Sequence, residues 1–160
     1  MKYHLCTKAI LLLGVAGLLL TCQQTSFGQC KEKRSESTQQ KIRYQTIPLG
    51  GKHEYLMLSS SGDEKLFSYH NEKIDLVYHV QMFTEIRFTS SRGNFSLYTT
   101  TSDRTRWNSC FTLSAPLTSK ELEKMKGASQ IVIILPEEKK VFSLTTKKIE
   151  MLHEALACLY

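Results

Sequence analysis

Five cysteines and five histidines are the side chains of this 160-residue chain best suited to covalent, metal or acid–base work. Their spacing closes most of those routes. Cys6, Cys22 and Cys30 fall in the first thirty residues, eight or more positions apart, and Cys110 and Cys158 are each far from any other cysteine. No CxxC pair exists, so neither a zinc knuckle nor a thioredoxin-like dithiol is expected. His53, His70, His79 and His153 show no metal-binding spacing either.

A nucleophilic cysteine needs a general base beside it, and Cys110 with one of the histidines is the pair that would serve. The flanking Trp107-Asn108-Ser109 carries no signature selecting that chemistry. Asp63, Glu64, Asp75 and Glu85 offer carboxylates without the pairing that glycoside hydrolysis requires. Leu49-Gly50-Gly51-Lys52 lacks the spacing of a phosphate loop, and GxSxG is absent. The expectation is therefore no assigned catalytic residue, no cofactor and no metal. A Cys110–histidine hydrolase or transferase remains an alternative to a binding protein, and enzymatic activity is left undecided, with the balance against it.

The N-terminus carries the clearest signal. Lys2 and Lys8 precede an apolar and glycine run from Ala9 to Leu20, and a polar stretch follows. A charged segment before an apolar run too short to span a bilayer is the layout of a bacterial-type secretory signal. Two cuts compete. Cleavage after Ser26-Phe27-Gly28 makes residues 1–28 a signal peptide, whereas Leu19-Leu20-Thr21-Cys22 resembles a degenerate lipobox, with lipid on Cys22 and a leader of 1–21. Residues 29–40 are polar enough to be read as a disordered tether, and 41–160 as a single domain. Export implies a periplasmic protein, an outer-membrane lipoprotein or a secreted protein. It also implies an oxidising compartment, in which Cys110 and Cys158 are expected to bridge because both lie in the folded part. Cys30 would then keep its thiol, dimerise or take Cys158 instead.

The net charge of +6 falls to about +4 once Lys2 and Lys8 leave with the signal. The basic residues are scattered, and Arg87, Arg92, Arg104 and Arg106 come nearest to a patch. A phosphate-tracking surface would be denser, so no nucleic acid is expected, and contact with a membrane only through a lipid at Cys22.

Alternation defines the elements that must position these groups. Ile42–Ile47 and His53–Ser59 read as strands, the first closed by Pro48, with Gly62-Asp63 as the following turn. A turn at Asn71-Glu72 would pair Tyr69 with Ile74, Phe67 with Leu76 and Glu64 with His79; His70 then lies about 20 Å from that Glu–His pair, too far to share a metal. A turn at Arg92-Gly93 would set Phe88 opposite Leu97, with Arg87 facing Tyr98 on the outer side. Trp107–Leu113 reads as a further strand. Thr118 and Glu121 form a capping box opening a short helix near 119–126 that Gly127 ends. Ile131–Leu135 reads as a central strand, Pro136-Glu137-Glu138 as its turn, and Val141–Leu144 as its partner. Ile149, Leu152, Leu156 and Leu159 recur at helical spacing, predicting a longer helix near 147–159.

These elements compose an α+β fold, a largely antiparallel sheet of about seven or eight strands with both helices packed on it. A small rigid sheet suits recognition better than turnover. The expected function is a non-enzymatic interaction domain of the envelope, binding a protein or cell-wall component, with Tyr98, Arg87 and Trp107 as the binding side chains. An exported inhibitor or immunity-type protein is the first alternative.

Overall fold

Strand alternation puts one face of each main strand into a common core, and the chain meets the need to cover those faces by folding two sheets against each other. The structure, a computed structural model, describes residues 30–36, 38–51, 53–72, 83–104, 110–136 and 138–160. Among these are ten strands and two helices. The strands are β1 (Lys31–Arg34), β2 (Lys41–Gly51), β3 (Glu54–Ser61), β4 (Glu64–Asn71), β5 (Glu85–Ser90), β6 (Phe95–Tyr98), β7 (Thr101–Arg104), β8 (Phe111–Pro116), β9 (Ala128–Ile134) and β10 (Lys139–Ser143). The helices are α1 (Ser119–Met125) and α2 (Thr146–Ala157). No described helix is long and apolar enough to cross a membrane.

A six-stranded sheet runs β1-β2-β3-β4-β8-β7 and a four-stranded one β10-β9-β5-β6. All neighbours are antiparallel. The α+β class therefore holds, with the strands divided between two sheets. The chain switches sheets between β6 and β7: the Thr99 amide donates to the Thr84 carbonyl in the small sheet, and the Thr100 amide to the Ser114 carbonyl in the large one. Between the sheets lie Leu56, Leu58, Phe67, Tyr69 and Leu113 from one side and Ile86, Phe88, Leu97, Ile131 and Ile133 from the other, all buried. Phe67 meets Phe88 edge-on at 5.4 Å between ring centroids, and Tyr69 meets Phe142 at 6.2 Å. Helix α2 buries Leu152, Ala155 and Leu156 and packs on β2 and β3.

Several local expectations hold. The Thr118 side chain accepts from the Glu121 amide while the Glu121 carboxylate accepts from the Thr118 amide, closing the capping box that starts α1. Gly62 sits at φ +60° in the two-residue link of β3 to β4. β9 lies between β5 and β10, as its apolar run predicts. Gly127 follows the C-cap of α1, but what requires glycine there is space: a Cβ would come within 2.5 Å of Ser91 Oγ and 2.9 Å of Ser90 Oγ.

Other expectations are corrected. β4 pairs with β3 along one edge and with β8 along the other, so over Leu66–Asn71 it has no edge left for a hairpin through Asn71-Glu72; residues 73–82 lie outside the described ones. The β5–β6 register is shifted by two: Phe88 faces Phe95, Ile86 faces Leu97, and Glu85 rather than Arg87 faces Tyr98. The longer connection explains the shift, since the Ser90 amide donates to Asn94 Oδ1 and Gly93 takes φ +104°. β2 continues past Pro48 to Gly51 through an irregularity, which accommodates a residue without an amide hydrogen. Residues 31–34, expected in a disordered tether, form β1 along the edge of β2.

The disulfide joins Cys30 to Cys158, not Cys110 to Cys158. Pairing of β1 with β2 brings Cys30 under the end of α2, where the Cα atoms of the two cysteines are 5.6 Å apart, while Cys110 precedes β8, with β3 and β4 between that strand and the β2 edge on which α2 packs.

Candidate functional site

The outer face of the four-stranded sheet follows from its register. Because Ile86 faces inward against Leu97 and Ile133, the alternate residues face out: Glu85 with Tyr98, Arg87 with Ser96 and Val132, and Val141 beyond Val132. Tyr98 is 56% exposed and Val141 52%, and Phe83, just before β5, is 72% exposed. The Phe83 amide donates to the Thr99 carbonyl at 2.7 Å, so backbone pairing holds it at the end of the sheet. Arg87 Nε and Nη2 donate to the two Glu85 oxygens at 2.9 and 2.8 Å, and Ser96 Oγ donates to Glu85 Oε1 at 2.8 Å. The Arg87 hydrogen bonds, with that of Ser96, hold the Glu85 carboxyl below the usual carboxylate range. Aromatic and aliphatic side chains thus surround an ion pair already fixed in a bidentate geometry, and a partner docking there need not order those groups itself.

A second polar cluster lies at the β3–β4 end. Glu72 bridges two imidazoles, contacting His53 Nδ1 through one oxygen and His70 Nε2 at 3.4 Å through the other. His70 Nδ1 meets Thr112 Oγ1 at 2.8 Å, and the Tyr55 ring stacks on His70 at 4.6 Å. Hydrogen bonding to His53, and then to His70, holds the Glu72 carboxyl below its ordinary range. Burial pushes the Tyr55 phenol up, followed by the charge of Glu72. Both ring nitrogens of His70 are engaged, one by the Thr112 hydroxyl and the other by the Glu72 carboxylate. No group of three or more histidine, cysteine or acidic side chains among the described residues is arranged to hold a metal.

Between the sheets, Glu54 Oε1 accepts from Tyr69 Oη at 2.6 Å, from Asn71 Nδ2 at 3.0 Å and from Lys140 Nζ at 3.1 Å. Burial, then the bond to Glu54, pushes the Tyr69 phenol far above its ordinary range. No buried side-chain nitrogen or oxygen among the described residues lacks a partner. A shallow cavity of about 220 Å³ lies beside the β1–β2 connection, lined by Ser35, Thr38, Ser61 and Glu64 over Ile42 and Leu66. It is smaller than the roughly 300–1,000 Å³ of ordinary ligand sites.

Of the expected binding side chains, the structure brings Tyr98 and Arg87 onto one face. Trp107 and Cys22 lie outside the described residues. Phe83 and Val141 join that face without having been singled out in the sequence; Val141 was legible as the outward residue of β10, whereas Phe83 carries no periodic signal. Arg87 and Arg92, two members of the scattered arginine set, are paired with Glu85 and Glu123. No family model matches the chain, and no curated protein or solved structure matches it.

Proposed function

We propose that this chain is a non-enzymatic interaction domain of the cell envelope, exported by its N-terminal leader, held to a membrane by lipid at Cys22, and engaging a protein partner through the outer face of the four-stranded sheet. The observation that carries the binding role is the clustering of exposed apolar side chains. Three of the four large hydrophobic residues that stand exposed among the described residues, Phe83, Tyr98 and Val141, lie on or beside that one face. Tyrosine and arginine at the centre of a preformed surface are the residue types that dominate interface energies. Export and the anchor rest on the charged segment, the apolar run and the position of Cys22 in the sequence.

The test is a photoreactive side chain placed at position 98, 141 or 147 of the chain in its native envelope. Adducts to one protein from 98 and 141 but not from 147, on α2, are expected. Against the purified partner, Tyr98→Ala should weaken binding about tenfold or more. Equal adducts from all three positions, or an unchanged affinity for the Tyr98→Ala/Arg87→Ala variant, would refute the assignment. A partner that is an enzyme or toxin silenced on binding would make the domain an inhibitor.

A further inference from the structure

We infer that the β1–β2 edge of the six-stranded sheet is a docking face for an anionic phospholipid surface. Folding gathers there basic residues that are dispersed along the chain. Antiparallel register sets Arg34 opposite Lys41 and Glu32 opposite Arg43, and Arg43 continues through Ser60 to Lys65. Lys31, Lys33, Arg34, Lys41 and Arg43 stand on β1 and β2 with the acidic Glu32 and, just after β1, Glu36; Lys31 and Lys33 take the opposite sheet face from the other three, and Lys65 lies two strands further in, on β4. Only Lys41 among the six is ion-paired to a described residue, to Glu32 at 2.8 Å. Lys33 and Lys65 lie over the rings of Tyr44 and Tyr160 at 5.6 and 4.1 Å, and all four residues of β1 are exposed. Such an edge repels a neighbouring strand and attracts negative charge.

Chain length selects the source of that charge, and this step rests on the proposed anchor at Cys22. The Cys30–Cys158 disulfide pins the chain to the body of the domain immediately before β1. Eight residue steps from Cys22 to Cys30 reach at most about 28 Å. A folded body of this size has a radius of gyration of about 14 Å and so measures about 36 Å across. A lipid on Cys22 therefore cannot let the opposite side of the molecule face the membrane. The tether keeps β1 within about 28 Å of the headgroups, and the positive charge of that edge favours the orientation in which its lysines and arginine come within a Debye length of them.

The exported chain carrying Cys22→Ser, which loses the acyl chains and keeps every residue of the domain, is sedimented with phosphatidylglycerol vesicles and with phosphatidylcholine vesicles. Binding to the first alone is expected, lost at about 1 M salt. It should weaken at least about tenfold in Lys31→Glu/Lys33→Glu/Arg34→Glu. Lys120→Glu/Lys147→Glu, the same kind of change on exposed helix positions, should leave it within about twofold. The circular dichroism of each variant and its intact disulfide establish that the fold is kept. Equal binding to phosphatidylcholine, undiminished binding of the β1 triple variant, or tighter binding to a DNA duplex than to phosphatidylglycerol would overturn the inference. The intact mass of the native protein tests the anchor separately: a chain starting downstream of Cys22 without acyl mass removes the tether, whatever the vesicles show.

Discussion

A carboxylate held between two imidazoles makes the β3–β4 end sensitive to acid. Glu72 titrates below its ordinary range in the folded protein, so its contribution to stability is present above the unfolded carboxylate value and is lost as pH falls through the folded one. The urea midpoint should drop between about pH 7 and about pH 3, and Glu72→Gln should flatten that drop. An unchanged pH profile in the variant would show that Glu72 is not among the groups responsible. On the outer face of the four-stranded sheet, the outward position of Tyr98 and Arg87 was readable from alternation around Arg92-Gly93, because a register error of two residues leaves every side chain on its face. Which residue opposes Tyr98 was not readable, since the turn length that sets it depends on Asn94 and Gly93 hydrogen bonds.

Helix α1 shows how far a local motif can be trusted. Seven residues are too few to be stable alone, so the Thr118–Glu121 box and burial of Leu122 and Met125 hold the helix in place. Thr118→Ala should cost about 1 kcal/mol, measured by chemical unfolding, while Thr118→Ser should be nearly neutral. Gly127→Ala should also destabilise, because the added methyl meets Ser90 at the end of β5 and Ser91 just after it. Strand pairing is less local. The segment around Phe67 and Tyr69 reads correctly as a strand with an apolar face, but alternation says nothing of which neighbour supplies the hydrogen bonds. A nearby turn is the default partner, and here β8, more than forty residues on, takes that edge.

Among the described residues a disulfide ties the N-terminal strand to the end of α2. Cys30 and Cys158 are 128 residues apart, and a loop of that length gives an entropic stabilisation of about 4–5 kcal/mol. That is a large share of the roughly 5–15 kcal/mol that separates a folded domain from its unfolded chain. In a Cys110→Ser background, reduction should therefore lower the unfolding free energy by a comparable amount, and β1 should be the first element to lose amide protection. Peptide mapping without reductant should recover the fragment pair containing residues 30 and 158; a pair containing 110 and 158 would contradict the fold described above.

Interactions within one or two turns of the chain could be read from residue order: the capping box, the helical stripe of α2, the apolar run of β9 and the outward alternation that exposes Tyr98 and Arg87. Each is set by neighbours a few positions away, so period and residue type suffice. The division of strands between two sheets, the edge position of β1, the Cys30–Cys158 pair and the gathering of Lys31, Lys33, Arg34, Lys41 and Arg43 on β1 and β2 depend on contacts between distant segments. Those contacts form because two apolar faces and a helix must cover one another, and their geometry follows from chain topology rather than from local pattern. The charge of the basic edge was present in the composition; its position beside the pinned N-terminus is a property of the folded molecule.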